Sequence, residues 1–210
     1  MKHSANEKFI LRFENLTRKY QSHFAVKDCT AEILSPQIIG LRGSNGSGKT
    51  TLSLLLARLL KPNSGKISMP ADITIHCVSH SPMAYWQLSV IDNLKLFATL
   101  ARTREDALTQ VIDKFKIGAL THKKLSELSR GQLQKFLLAR WMLSQARLSF
   151  LDEPFTGLDV DGIELLRKEI LACPKNGRTV VISDHDDKRL QSLADQFWNM
   201  NEGRLSLRDR

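Results

Sequence analysis

The sequence predicts an α/β fold: a mostly parallel sheet with helices packed on it and a helical segment inserted part-way along. Three observations carry this expectation. Short apolar runs alternate with helical patterns, several of those runs end in glycine, acidic or histidine residues, and the middle of the chain has no buried strand run. In order, "QIIGLRG" (Gln37–Gly43) reads as a buried strand entering a glycine loop, and "TTLSLLLARLL" (Thr50–Leu60) as the helix that leaves it. "RLSFLDE" (Arg147–Glu153) and "RTVVISDH" (Arg178–His185) are two more buried runs, and "VDGIELLRKEIL" (Val160–Leu171) between them has the apolar spacing of a crossover helix. From about Met83 to Arg130 the pattern is helical, with Leu108, Val111, Ile112 and Phe115 falling at i, i+3, i+4 and i+7. The expected division is an α/β core at 1–82 and 132–210, with a helical subdomain at 83–131.

The chain has 210 residues, 42% hydrophobic and 25% charged, which suits one soluble domain, or a core with one inserted subdomain. No run approaches the ~20 apolar residues of a membrane span. The opening "MKHSANEKFILRF" is read as lacking a signal peptide, and the close after "NEGRLSL" as leaving no accessory domain. Three scattered cysteines without a CxxC pair fit a reducing cytosol and argue against a disulfide frame or a zinc site. The net charge of +9 is compatible with nucleic acid, anionic lipid or acidic ligands. The basic residues are nevertheless spread along the chain, so a solvated basic surface is the simpler reading.

"GSNGSGKT", Gly43–Thr50, matches the phosphate-binding P-loop pattern GxxxxGK[ST]. Phosphate oxygens must approach the backbone closely, so the side chains stay small at Gly46, Ser47 and Gly48, and the following helix presents its positive end. Lys49 supplies a cation for the β and γ phosphates, and the Thr50 hydroxyl is a suitable Mg²⁺ ligand. The candidate nucleotide-binding residues are therefore Gly43, Ser44, Asn45, Gly46, Ser47, Gly48, Lys49, Thr50 and Thr51. A merely flexible linker would not lie between two buried elements. The second ingredient is "LSFLDEP": a strand delivering Asp152 as the acid that holds Mg²⁺, with Glu153 placed to polarise a water for attack on the γ-phosphate. That second carboxylate points to hydrolysis rather than to a kinase.

"LSRGQLQKFLLARWML", from Leu128, precedes the acidic strand, and here the sequence resembles the ATP-binding-cassette (ABC) ATPases, which carry an LSGGQ-like phrase at this place. The resemblance covers nearly the whole chain, with Tyr20, the P-loop, "LSRGQ", "LDEP", "TGLD" (Thr156–Asp159) and "SDHD" around His185 in the family's order. It implies that Tyr20 stacks on adenine, the alternative being a core tyrosine. It implies that His185 reaches the γ-phosphate beside Glu153 and that Asp159 sits where two cassettes meet. It also implies that Ser129, Gly131 and Gln132 contact the γ-phosphate held by a second cassette, paired head to tail.

Two departures stand out. Arg130 replaces a family glycine and either adds charge near the triphosphate or points to solvent, which is the favoured reading. His80 stands where the family has a glutamine near the metal, thirteen residues before Asn93. A neutral imidazole orients water but is a poorer Mg²⁺ ligand than an amide oxygen, so His80 is a candidate catalytic residue and a source of pH sensitivity. "SHSP…LSVIDNL" and "DEPFTGLD" further resemble the haem-export cassettes of cytochrome c maturation, though those carry glutamine where this chain has Ser81.

The resemblance implies the ATP-hydrolysing subunit of a membrane transporter, with ATP and Mg²⁺ as cofactors. Its partners would be a separate integral-membrane permease and a second cassette, a homodimer being expected, on the cytoplasmic face of the cell membrane. The competing reading is a non-transport cassette ATPase acting on DNA or ribosomes. The chain has neither the long coiled coil nor the second cassette that those relatives carry, and no nucleic-acid partner is expected. A GTPase is disfavoured by the lack of an NKxD phrase.

Overall fold

The computed structural model describes residues 9–79 and 83–209. Its centre is a six-stranded sheet in the order β5-β6-β7-β3-β8-β9. The strands are β3 (Ile38–Arg42), β5 (Ile75–Val78), β6 (Leu148–Asp152), β7 (Thr179–Ser183), β8 (Gln196–Asn201) and β9 (Arg204–Asp209). All neighbours in it run parallel except β8 and β9, which form an antiparallel edge. β6 and β7 are buried at every position, as expected of strands covered on both faces.

A second sheet was not foreseen. β1 (Leu11–Tyr20), β2 (His23–Ile33) and β4 (Ser64–Ser68) make a three-stranded antiparallel sheet in the order β2-β1-β4. It covers one face of the central sheet together with α1 (Lys49–Leu56): Phe13, Val26 and Leu52 share a core with Ile39, Leu41, Phe150 and Trp198. The other face is covered by helices. Ile38, Val180 and Ile182 pack there against Phe136, Leu166 and Leu190 of α4 (Arg130–Ser144), α5 (Val160–Ala172) and α6 (Asp187–Leu193). Along β3 the alternation is direct, Ile38 facing one core and Ile39 the other.

The middle segment holds α2 (Val90–Leu100), α3 (Glu105–Lys114) and two short 3₁₀ turns, with no named strand among its described residues. The expected stripe is there: Val111 and Phe115 are buried, and Leu108 and Ile112 pack against the same core. Helix α4 joins the two regions. Its Phe136–Trp141 stretch is buried throughout, and the Trp141 indole donates to Ser149 Oγ at 2.9 Å, satisfying two polar groups between α4 and β6.

The helix after the P-loop is shorter than expected, ending at Leu56 rather than Leu60. Ala57 closes it, Arg58 takes a left-handed φ of 58°, and the amides of Leu59 and Leu60 turn back to the Leu54 carbonyl. Apolar residues beyond a helix end continue its pattern without continuing its backbone.

Candidate functional site

β3 runs into the P-loop, whose Gly43, Gly46 and Gly48 have φ of 144°, 78° and 108°, conformations that cost other residues strain. Space excludes side chains as well. A Cβ on Gly48 would lie 2.0 Å from the Ala25 carbonyl oxygen, and one on Gly43 would lie 2.4 Å from that of Met200. The loop is thus pressed against β2 and β8. Lys49 folds back along it, its Nζ donating to the carbonyls of Gly43 (2.7 Å) and Ser44 (3.0 Å).

The carboxylates arrive from β6. Asp152 Oδ2 accepts from Thr50 Oγ1 at 2.6 Å, and its Oδ1 accepts from the Ser183 hydroxyl at the end of β7. Glu153 follows with a left-handed φ of 50°, and its amide reaches both the carbonyl (3.1 Å) and the hydroxyl (3.2 Å) of Ser183. That turn separates the two acids: Asp152 is buried behind Thr50, while Glu153 Oε1 meets His185 Nε2 at 2.6 Å. Ser183 was missed in the sequence, where it is one hydroxyl beside "DHD".

A cleft of about 490 Å³ gathers these groups. Tyr20, His23, Asn45, Gly46, Gly48, Lys49, Thr50, Thr51, Glu153 and His185 line it. Tyr20 is 44% exposed and is not a core residue. The alternative reading of it therefore falls.

The remaining candidates lie elsewhere. Ser129 caps α4, its hydroxyl accepting from the Gln132 amide (3.4 Å) while Gln132 Oε1 accepts from the Ser129 amide (3.0 Å), a reciprocal capping box. Asp159 caps α5 through Gly162 (2.8 Å) and pairs with Lys135 at 2.7 Å. The Lys135 hydrogen bond, then that of the Gly162 amide, hold the Asp159 carboxyl below its ordinary range. None of Ser129, Gly131, Gln132 and Asp159 is among the residues lining the cleft. They are joined instead to the segment after β6. A Cβ on Gly131 would stand 2.6 Å from the Gly157 carbonyl oxygen, and Gln134 Nε2 donates to the Pro154 carbonyl at 2.7 Å. Arg130 is exposed, and it also borders a small cavity shared with Asp152, Glu153 and Thr156. His80 and Ser81 lie outside the described residues.

Residues 26–156 match the family model described as ABC transporter. The chain belongs to the ABC transporter family. As an ABC ATP-binding subunit it binds and hydrolyses ATP. Among its relatives, an ABC transporter ATP-binding protein of Methanocaldococcus jannaschii is 30% identical over 198 residues, 92% of this chain and 75% of the relative. The lantibiotic transport ATP-binding protein of Streptococcus pyogenes is 28% identical over 205 residues, covering 94% and 90%. The ABC fold itself is matched by a solved ATP-binding subunit of an ABC transporter (TM-score 0.87, 22% identity, 95% of this chain and 90% of that one). A dimeric ATP-binding cassette with ADP and phosphate bound also matches (TM-score 0.84, 19% identity, 95% and 98%). These relatives do not favour a DNA- or ribosome-directed cassette.

Proposed function

We propose that this ABC subunit drives a separate membrane permease by closing head to tail on a second copy of itself around MgATP and opening after hydrolysis. The P-loop amides and Lys49 hold the β and γ phosphates, and Tyr20 takes the adenine face. The hydroxyl of Thr50 and the carboxylate of Asp152 are hard oxygen donors 2.6 Å apart. That pair fits Mg²⁺, which takes one or two protein oxygens and completes its shell with phosphate and water. When bound, the ion supplies charge neutralisation at the phosphates.

Glu153 is the general base. The observation that carries this is its 2.6 Å contact with His185 at the mouth of the cleft that Lys49 also lines. The carboxylate takes a proton from the attacking water while His185 fixes its orientation toward the γ-phosphate. Ser129, Gly131 and Gln132 complete the site of the facing chain, since the positive end of α4 and the unhindered glycine amide at it suit an anion, while the Ser129–Gln132 capping box fixes the helix start. The segment 83–131 is the docking subdomain. Met83, Tyr85, Trp86 and Leu88 are exposed there, while the buried Asn93 amide pins their loop through the amide and carbonyl of Tyr85 at 3.0 and 2.9 Å. No helix among the described residues is long and apolar enough to cross a membrane, and the permease supplies the attachment to the cytoplasmic face.

The test is Glu153→Gln. It retains ATP binding, loses about 10²–10⁴-fold in turnover, and accumulates as an ATP-bound pair in size-exclusion chromatography. Turnover at the parent rate removes Glu153 from the role of base.

A further inference from the structure

One face of Tyr20 is already occupied. The guanidinium of Arg18 lies 4.7 Å from the centroid of the Tyr20 ring. The two residues are two apart on β1 and so project on the same side of the strand. Arg18 is itself anchored, its Nη1 donating to the Lys61 carbonyl at 3.1 Å. The neighbouring backbone is held from the same loop, with the Lys19 amide donating to Asn63 Oδ1 at 2.7 Å and the Asn63 amide to the Thr17 carbonyl at 2.8 Å. Arg18 Nε is buried without a hydrogen-bond partner. The guanidinium is therefore not placed to satisfy all its donors; the contact with the ring and one carbonyl fix it.

That loop is the exit of α1, the helix that starts at the P-loop lysine. A brace thus runs from the far end of the phosphate-binding helix through Lys61 to Arg18, with Asn63 holding the backbone of Thr17 and Lys19 on either side, and from Arg18 to the tyrosine. Beyond Tyr20 the chain turns at once, through Gln21 with φ of 52°, to His23, which pairs with Tyr20 across the hairpin and lines the same cleft. A hairpin tip carrying one half-exposed aromatic ring has little to hold that ring steady. A cation behind it does so, and it draws on the ring's electron-rich face.

We infer that Arg18 is a positioning residue for the nucleotide base. It backs the Tyr20 ring so that the ring's free face stands ready for a purine at a fixed distance from the P-loop. The inference rests on the reading of Tyr20 as the base platform, and its test separates the two.

Equilibrium binding of ADP and of inorganic tripolyphosphate, which has no base, is measured for the parent, Arg18→Ala, Arg18→Lys, Tyr20→Ala and the double alanine variant, together with KM and kcat for ATP. The expected result for Arg18→Ala is an ADP affinity about three- to tenfold weaker, with tripolyphosphate binding and kcat unchanged and KM raised. Arg18→Lys recovers part of the loss, since an ammonium can keep a cation over the ring without the guanidinium's fixed fork of donors. The double variant binds ADP no more weakly than Tyr20→Ala alone, because Arg18 acts through the ring. If Tyr20→Ala weakens ADP while Arg18→Ala does not, the base platform stands and the role of Arg18 is refuted. Equal losses for ADP and tripolyphosphate in Arg18→Ala refute it too, since they mark a general disturbance of the hairpin. An unchanged ADP affinity in Tyr20→Ala overturns both readings.

Discussion

Thr50 and Asp152, 102 positions apart in the chain, are joined by a 2.6 Å hydrogen bond from hydroxyl to carboxylate. The P-loop helix and β6 thereby present their oxygens as one unit. Asp152→Asn keeps the shape and removes the charge. It is expected to lower kcat by about 10²-fold or more and to abolish the gain in nucleotide affinity on adding Mg²⁺. Titration with ATP in EDTA, where the variant should match the parent, checks that the loss belongs to the ion.

Lys49 spans the loop through the Gly43 and Ser44 carbonyls. Lys49→Ala removes a cation and two charge-assisted hydrogen bonds, and nucleotide affinity should fall about ten- to hundredfold. Calorimetric titration with ADP measures it, and an affinity within twofold of the parent contradicts the assignment.

Gly131 has no room for a methyl group, because its Cβ would stand 2.6 Å from the Gly157 carbonyl oxygen. Gly131→Ala must push the segment after β6 away from the start of α4. About 1–3 kcal/mol of stability should be lost, read in a urea melt, with turnover falling alongside. Arg130→Gly, one residue earlier but exposed, should leave the melt within about 0.5 kcal/mol and change turnover little. A large fall in turnover would mean that the guanidinium works on the cavity it shares with Asp152 and Glu153.

His76 on β5 is held neutral: burial, and then the nearby Arg140 and Arg178 cations, lower its pKa from 6.5 to about 3. The unfolded chain binds a proton here below pH 6.5 and the folded chain does not, so this residue's contribution is full above that pH. It is lost progressively as pH falls from 6.5 towards about 3. His76→Gln should flatten that part of the stability–pH curve, as measured by urea denaturation across the range. A curve parallel to the parent's would show that the imidazole does not sense its buried setting.

The carboxyl of Asp159 is depressed by Lys135, which donates to it. Lys135→Met should raise its titration midpoint toward the ordinary range, followed by NMR of the carboxyl carbon. Sign and cause are separable here, since Gly162 still donates its amide in the variant.

Three strands of the central sheet, β3, β6 and β7, were readable because buried parallel strands are apolar runs, as in "LSFLD" and "TVVIS"; β5, only four residues long, and β8 and β9, with polar residues among the apolar ones, were not. The antiparallel sheet was not. In β1 the alternation fails where register shifts fall between Phe13, Leu16 and Arg18, and Asn15 sits at a left-handed φ of 48°, so no period-2 stripe survives. The P-loop and both carboxylates were legible as motifs, since their chemistry demands local spacing. Ser183, Lys135 and Gly157 were not, because each acts through a partner distant in sequence that only the folded chain brings near. Tyr20 fell between: its type suited either a core or a cleft, and only its exposure decides.

The capped start of α4 and the triphosphate cleft do not share lining residues within one chain. Under the two-chain reading, catalysis then obeys mass action in the protein itself. Specific activity should climb with enzyme concentration until association saturates, and diluting a working preparation should silence it without harming a single molecule. A permease that holds two subunits side by side would act first as a concentrating device, fixing locally what the surrounding solution leaves to chance encounter.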